Sequence, residues 1–98
     1  MKVIKTIVTT RPNVDIKFGA GLYPEIKQSQ EEMLADGRII SIIGTMSEDR
    51  LTSTEVKIFA SADDYIYNFS LFIEAVKTEF EYMSNNGITE TVSLAFEE

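Results

Sequence analysis

Three side chains that could take part in ligand binding or catalysis lie close together on a predicted helix, and an aromatic residue earlier in the chain could lie beside them. Tyr65, Tyr67 and Asn68 lie within about one helical turn, and Phe18 stands in a separate hydrophobic segment. Buried phenols and amides need hydrogen-bond partners, while aromatic rings supply flat apolar walls. A pocket between this helix and a sheet, lined by Phe18, Tyr65, Tyr67 and Asn68, would fit a small planar or hydrophobic ligand.

Other groups that could do chemistry are better explained by structure. The adjacent carboxylates Asp63 and Asp64 precede an apolar helix and fit helix capping. The segment 19–21 (Gly-Ala-Gly) precedes another helix but lacks a phosphate-binding pattern, so we interpret it as a chain break. Arg11 and Arg38 flank predicted strands and could bind a carboxylate substrate, but pairing with surface acids is the preferred interpretation.

Composition excludes many activities. The chain has 98 residues, 9 Lys and Arg against 16 Asp and Glu, a net charge of −7, and neither cysteine nor histidine. Nucleophile systems that need histidine or cysteine, disulfides, and most zinc, copper and haem sites are therefore excluded, and we predict no metal, no cofactor and no assigned catalytic residue. The basic residues are scattered and most have an acid nearby, which argues against nucleic-acid binding. Without a signal peptide or a membrane-length apolar run, a single cytoplasmic domain spanning 1–98 is expected.

Hydrophobic patterning predicts the first four elements. Residues 3–10 are rich in β-branched side chains and form a strand that stops before Pro12. A helix should begin at Pro24 and run to about Asp36, with Gly37 ending it. The runs 39–43 and 51–60 then read as the two strands of a hairpin.

The last helix and strand have the clearest signals. Ser61 and Asp64 form a capping box ahead of a helical apolar stripe from Tyr65 to Met83. Asn and Gly at 85–87 end this helix, and alternation over 88–96 predicts a final strand. A second stripe on the same helix comprises Tyr67, Leu71, Ala75 and Tyr82. It could be either a packed helix edge or a subunit contact.

The order β-α-β-β-α-β predicts the ferredoxin-like α+β fold, a four-stranded antiparallel sheet with two helices on one face. Aliphatic residues occupy both sides of the first strand, and we expect Ile39 and Ile43 on one face of the next strand, with Ile40 and Ile42 on the other. Strands that are apolar on both sides need a second layer. We therefore predict a homodimer stacked through its open sheet faces; the alternative is a monomer covered by the segment 11–21.

Several sequence features resemble one superfamily. The element order, the two-faced strands and the run IFASADDYIYNFSLF resemble the dimeric α+β-barrel proteins of ferredoxin-like fold, which include antibiotic-biosynthesis-type monooxygenases. The TRPN and NNGIT segments are similar to those of small proteins from marine phages and ocean samples. Haem-degrading members use a histidine with an asparagine and a tryptophan, so the absence of His and Trp prevents that activity from being carried over.

Two functions follow as hypotheses. The first is a non-catalytic homodimeric binding or structural accessory protein, favoured by the absence of any recognisable nucleophile or cofactor motif. The second is the activity that the resemblance implies for cofactor-free members, oxidation or isomerisation of a small aromatic or hydrophobic substrate between helices and sheet, with Tyr, Asn or Asp as polar handles. A cavity of at least ~300 Å³ with convergent polar groups would favour the second hypothesis.

Overall fold

Four strands and three helices make up the described part of the chain. The structure, a computed structural model, describes residues 1–19, 24–71 and 73–98, without the side chain of residue 74. The chain break predicted at Ala20 and Gly21, and the part of the predicted apolar stripe at Phe72, lie outside the described residues. In chain order the elements are β1 (Lys2–Thr10), α1 (Pro24–Ala35), β2 (Ile39–Met46), β3 (Thr52–Phe59), α2 (Ala62–Leu71), α3 (Ile73–Asn85) and β4 (Thr89–Glu97).

The sheet has the strand order β2-β3-β1-β4, and every neighbouring pair is antiparallel. The helices pack on one of its faces, which confirms the predicted ferredoxin-like α+β fold. The elements α2 and α3 occupy the range for which one long second helix was predicted. Among the described residues, no helix is long and apolar enough to cross a membrane.

Local hydrogen bonds explain where the helices begin and end. The Ser61 hydroxyl oxygen accepts the Asp64 backbone N–H at 3.1 Å and donates to the Asp64 carboxylate at 2.8 Å, which confirms the predicted cap of α2. Gly37 has a φ of 76° and lets the chain leave α1 through a left-handed residue. Gly87 does the same after α3, with a φ of 69°.

A cluster of buried hydrophobic residues lies at one end of the sheet. Val3, Ile39 and Phe59 lie side by side in the register of β1, β2 and β3, and Met33 of α1 packs on them. All four are buried, and Tyr65 and Ile42 pack against them as half-buried neighbours. This cluster is a row of strand residues under α1, and Met83 of α3 and Ile88, which precedes β4, are buried outside it.

A bulge in β2 changes which isoleucines share a face. Ile39 pairs with Phe59, but the register shifts before Ser41, so that Ile42 pairs with Lys57 and Ile43 with Val56. Because side chains alternate along a strand, Ile42 faces the helices and Ile43 faces the open side. The expected pairing of Ile39 with Ile43 on one face was wrong, since strict alternation cannot anticipate the extra residue of a bulge.

We expect Phe59→Ala to cost about 3–5 kcal/mol of unfolding free energy, because it empties a fully buried ring site. Phe59 is 0% exposed, whereas Phe96 on β4 is 60% exposed and serves as the matched control. Urea denaturation of both variants at one protein concentration measures the difference. Equal losses for the two variants would contradict this description of the core.

Candidate functional site

A cleft of about 710 Å³ separates the helices from the remainder of the helix-facing sheet surface. Its walls combine apolar and charged side chains contributed by strands β1, β3 and β4 and by all three helices. The apolar and aromatic lining residues are Ile7, Phe18, Ile26, Tyr65, Phe69, Val76, Phe80, Met83 and Val92. The charged lining residues are Lys5, Lys27, Glu55, Lys57, Glu79 and Glu90.

The cleft begins where charged residues appear on the helix-facing side of β1 and β3. Next to the core row, Lys5 of β1 pairs in register with Lys57 of β3, and the following row pairs Ile7 with Glu55. Burying ammonium and carboxylate groups under an apolar helix is unfavourable unless they are paired. The sequence of β3 therefore sets the boundary between core and cleft.

The two lysines at the floor of the cleft have different surroundings. Lys57 is 4% exposed, and its Nζ lies 3.4 Å from Oε1 of Glu55. Lys5 has no carboxylate at ion-pair distance among the described residues, and its Nζ lies 5.9 Å from the centre of the Tyr65 ring. Lys57 is thus a paired structural cation, whereas the Lys5 amine faces the cleft beside an aromatic wall.

Burial moves the pKa values of two cleft residues toward neutrality. Burial lowers the pKa of the Lys5 ammonium below its ordinary value, and the neighbouring charge of Lys57 lowers this pKa further, against the opposite effect of Glu90, Glu55 and Glu79. Burial also raises the pKa of the Glu79 carboxyl above its ordinary value, with Glu90 and Glu55 acting in the same direction. The cleft therefore favours a neutral amine and a protonated carboxyl more than water does.

Tyr65 and Asn68 connect the cleft to the core. The Tyr65 ring meets Phe59 edge to face, with centroids 5.5 Å apart and an interplanar angle of 75°. Asn68 is 6% exposed, and its side-chain amide donates to Sδ of Met33 at 3.5 Å. Both side chains are consequently held in place before any ligand arrives, which favours binding.

The segment 11–19 closes one end of the cleft. The Arg11 guanidinium donates to the carbonyl of Arg50 at 2.9 and 2.7 Å and to the carbonyl of Ile16 at 2.9 Å, and it stacks on Phe18 at 4.4 Å. The other side of this segment contacts α3, where the Tyr82 hydroxyl donates to the carbonyl of Lys17 at 2.7 Å.

Gly19 is required at that contact. It has a φ of 101°, and a Cβ there would lie 3.3 Å from the Tyr82 ring. The described part of the segment 11–21 thus lies at the cleft and against α3. The alternative in which this segment covers the open sheet face with Phe18 was wrong, because Phe18 faces the cleft.

The structure brings together three of the four residues singled out in the sequence. Phe18, Tyr65 and Asn68 all line the cleft. Tyr67 is not among the lining residues; it is 41% exposed, and the Arg38 guanidinium stacks on its ring at 4.0 Å. Arg38 also donates to Asp64 at 3.0 Å, so pairing with an acid explains this arginine.

The charged residues of the cleft were not among those predicted from the sequence. Lys5, Glu55 and Lys57 occupy alternate positions that share a face with Val3 and Phe59, so strand alternation alone indicates that they point toward the helices. Glu79 and Glu90 were missed as well, and only their tertiary position brings them to the cleft. Within the described ranges, no three acidic residues form a group that could hold a metal ion.

Comparisons with known proteins show likeness in structure without likeness in sequence. The sequence matches no protein-family model, and no curated protein matches it. A dimeric ferredoxin-like protein from an uncultured marine organism is similar in structure, with a TM-score of 0.65 and 8% identity, over 99% of this chain and 97% of that one.

Two Streptomyces enzymes have the same fold. The cofactor-independent oxygenase SnoaB from Streptomyces nogalater has a TM-score of 0.61 and 9% identity, over 99% of this chain and 93% of its own. A monooxygenase from Streptomyces coelicolor, solved in complex with the ligand nanaomycin D, has a TM-score of 0.61 and 10% identity, over 98% and 87% of the chains. These neighbours confirm the fold that the resemblance implied, and at such low identity they show the fold alone.

The raised pKa of Glu79 predicts a pH-dependent gain in stability for Glu79→Gln. The unfolded chain releases this proton around the ordinary value of 4.5, whereas the folded chain holds it to higher pH, so this residue makes folding less favourable as pH rises above 4.5. We expect E79Q to have a higher urea midpoint than the unmodified protein near pH 7, and the gain to disappear at about pH 4.

The exposed Glu81 on the same helix provides the control, since E81Q should shift the midpoint similarly at both pH values. A gain for E79Q that does not change with pH would contradict the assignment, because an amide could then stabilise the fold by packing alone.

Proposed function

We propose that this chain is a cofactor-independent enzyme that oxidises a small, flat, hydrophobic aromatic substrate in the cleft. The observation that carries the proposal is the joint presence, in one cleft of about 710 Å³, of aromatic walls and a lysine amine without an ion-pair partner among the described residues. A ligand cleft with mostly apolar walls and a few convergent polar groups is typical of small-molecule sites. The likeness in fold to a cofactor-independent oxygenase supports the same proposal.

The aromatic residues bind and orient the substrate in this proposal. Phe18, Tyr65 and Phe69 supply ring surfaces along the cleft, and Asn68 supplies a fixed amide. Flat rings gain from stacking and edge-to-face contacts with such walls. The substrate is thereby positioned over the floor of the sheet, where Lys5 stands.

Lys5 acts as the proton acceptor. Because burial lowers its pKa, a larger fraction of the amine is neutral at neutral pH than for an exposed lysine. With anthrone as a probe substrate, Lys5 removes one proton of the ring methylene, and the ammonium that forms stabilises the resulting carbanion.

The reaction then needs only dioxygen. The carbanion gives two electrons to O₂ and forms a C–O bond, and the proton held by Lys5 returns to the resulting peroxide. Loss of the second methylene proton breaks the O–O bond, releases one water and leaves anthraquinone. One O₂ is consumed for each ketone formed, so atoms and electrons balance without a cofactor.

We expect Lys5→Met to lower kcat for anthrone oxidation by at least about a hundredfold, the usual contribution of a general base, with little change in KM. Oxygen uptake and anthraquinone absorbance, corrected for oxidation in buffer alone, measure the rate. Lys2→Met is the matched control, because Lys2 lies on the same strand but on the opposite sheet face.

Binding of anthrone without oxygen uptake above the buffer rate would contradict the enzymatic proposal. It would favour the first hypothesis of the sequence analysis, a non-catalytic binding protein. Equal loss of activity in K5M and K2M would instead contradict the role of Lys5.

The partner we propose is a second copy of the chain, packed through the open sheet face. On this face the strands carry no charged residue between the Lys2–Glu97 pair at one end and the turns at the other. Its apolar residues are Ile4, Val8, Ile43, Val56 and Ile58. In a chain with 26% charged residues, a charge-free sheet face fits burial against another such face. The dimeric ferredoxin-like neighbour supports this arrangement.

We expect Val56→Glu to convert the dimer into a monomer, because each charge would be buried opposite an apolar partner. Sedimentation equilibrium should give twice 11.1 kDa for the unmodified chain and 11.1 kDa for V56E. Val14→Glu, at an exposed loop position, should remain dimeric. An unmodified chain that sediments as a monomer at micromolar concentration would refute the proposed dimer.

A further inference from the structure

Two lysines stand side by side at the floor of the cleft. Lys5 and Lys57 are Cα partners in the antiparallel register of β1 and β3, so their side chains leave the same face of the sheet next to each other. Like charges directly opposite each other destabilise a strand pair. Repulsion between the two ammonium groups favours loss of a proton from one of them.

The surroundings decide which amine this is. Lys57 is buried, and its Nζ lies 3.4 Å from a carboxylate oxygen of Glu55. Lys5 has no such partner among the described residues, and it lies beside the Tyr65 ring and the apolar lining of the cleft. Lysines become nucleophilic when they are desolvated in an apolar pocket or placed beside another cation, and Lys5 meets both conditions.

We infer that Lys5 is a nucleophilic amine that condenses with the carbonyl group of an aromatic ketone, aldehyde or β-diketone held in the cleft. The inference uses the same cleft as the proposed function, but it adds a covalent reaction that oxidation of a substrate does not require. It assigns the chain a class of ligand, flat aromatic carbonyl compounds, and a specific atom that bonds to them, Nζ of Lys5.

The condensation balances with one water released. The neutral amine of Lys5 forms a C–N bond to the carbonyl carbon, and the amine proton moves to the carbonyl oxygen to give a carbinolamine. An acid then protonates the hydroxyl, the C–O bond breaks, water departs, and an iminium is formed. With a β-diketone, loss of the proton between the two carbonyls gives a conjugated enaminone.

Glu79 is the group in the cleft best suited to supply and remove these protons. It lines the cleft opposite the sheet floor, and burial keeps its carboxyl protonated to higher pH than in water. The remaining charged groups that face Lys5 are Glu55 and Lys57 of β3 and Glu90 of β4, with Lys27 of α1 at the cleft lining.

Benzoylacetone tests the inference directly, because its enaminone absorbs at longer wavelength than the free diketone. We expect saturable formation of one enaminone per chain, and peptide mapping by mass spectrometry should place an adduct of the diketone minus one water on Lys5. The rate should rise with pH to a plateau with its midpoint below 10.5, the ordinary value for lysine.

Matched substitutions separate nucleophilicity from charge. Lys5→Arg keeps a positive charge but has no neutral amine, so it should abolish the new absorbance. Lys2→Arg, on the same strand and the opposite face, should react like the unmodified protein. A urea midpoint for K5R close to that of the unmodified protein would show that the loss does not arise from unfolding. If K5R does not fold, competition replaces it: saturating the unmodified protein with anthrone should slow the labelling of Lys5.

Adducts on Lys57, or spread evenly over the surface lysines, would overturn the inference, as would a rate midpoint at or above 10.5. The two proposals fail separately. If anthrone is oxidised but benzoylacetone does not label Lys5, the amine acts on protons alone and the covalent inference is wrong. If Lys5 is labelled but anthrone is not oxidised, the covalent inference stands and the oxidation proposal is wrong.

Discussion

The pairing of Lys5 with Lys57 on the helix-facing side of the sheet is the constraint on which the rest of the structure depends. One row earlier the strands offer Val3 and Phe59 to the helices, and a buried core forms. At the lysine row this is no longer favourable, because two ammonium groups cannot lie under an apolar helix without partners. Carboxylates from β3, α3 and β4 compensate the charge only in part, and the helices leave a solvent-accessible cleft instead of a second core row.

The charged residues of the sheet are distributed unusually between its two faces. In a two-layer α+β protein the helix-facing side is the apolar one, and the open side alternates toward polar residues. Here the helix-facing side carries the charges beyond its first row, while the open side carries none between its ends. The short core on the helix-facing side leaves the apolar residues of the open side exposed in a single chain, which is the basis for proposing a partner there. The cleft and the proposed assembly both follow from one distribution of residues over β1 and β3.

The fold could be predicted from the sequence because each element carries its own local signal. Ser61 and Asp64 cap α2 through hydrogen bonds that involve only neighbouring residues, and Gly37 ends α1 through its own backbone conformation. The face assignments of β1 could also be predicted, since alternation depends on sequence alone. The bulge after Ile39 could not, because nothing in the run of isoleucines marks the extra residue.

The site was harder to predict than the fold because its key contacts are long-range. That Lys5 faces Lys57 depends on the register of two strands joined through a helix and a hairpin, and this register appears in no local pattern. For the aromatic residues of α2, the difficulty was to predict which side of the helix faces the cleft. Tyr65, Asn68 and Tyr67 lie within one helical turn, but a residue advances by about 100° around the helix, which separates Tyr67 from the cleft.

The absence of histidine and cysteine gives the two shifted pKa values their significance. A chain without these residues has no side chain that ordinarily titrates near neutral pH, so proton transfer there must rely on lysine or carboxyl groups whose surroundings move their pKa values. Lys5 is moved down and Glu79 is moved up, both chiefly by burial, and both line one cleft. Burial thus changes the two pKa values in the directions that bring them nearer to each other. Lysine and glutamate side chains that lie in water do not experience this burial, and burial is the main cause of both pKa shifts.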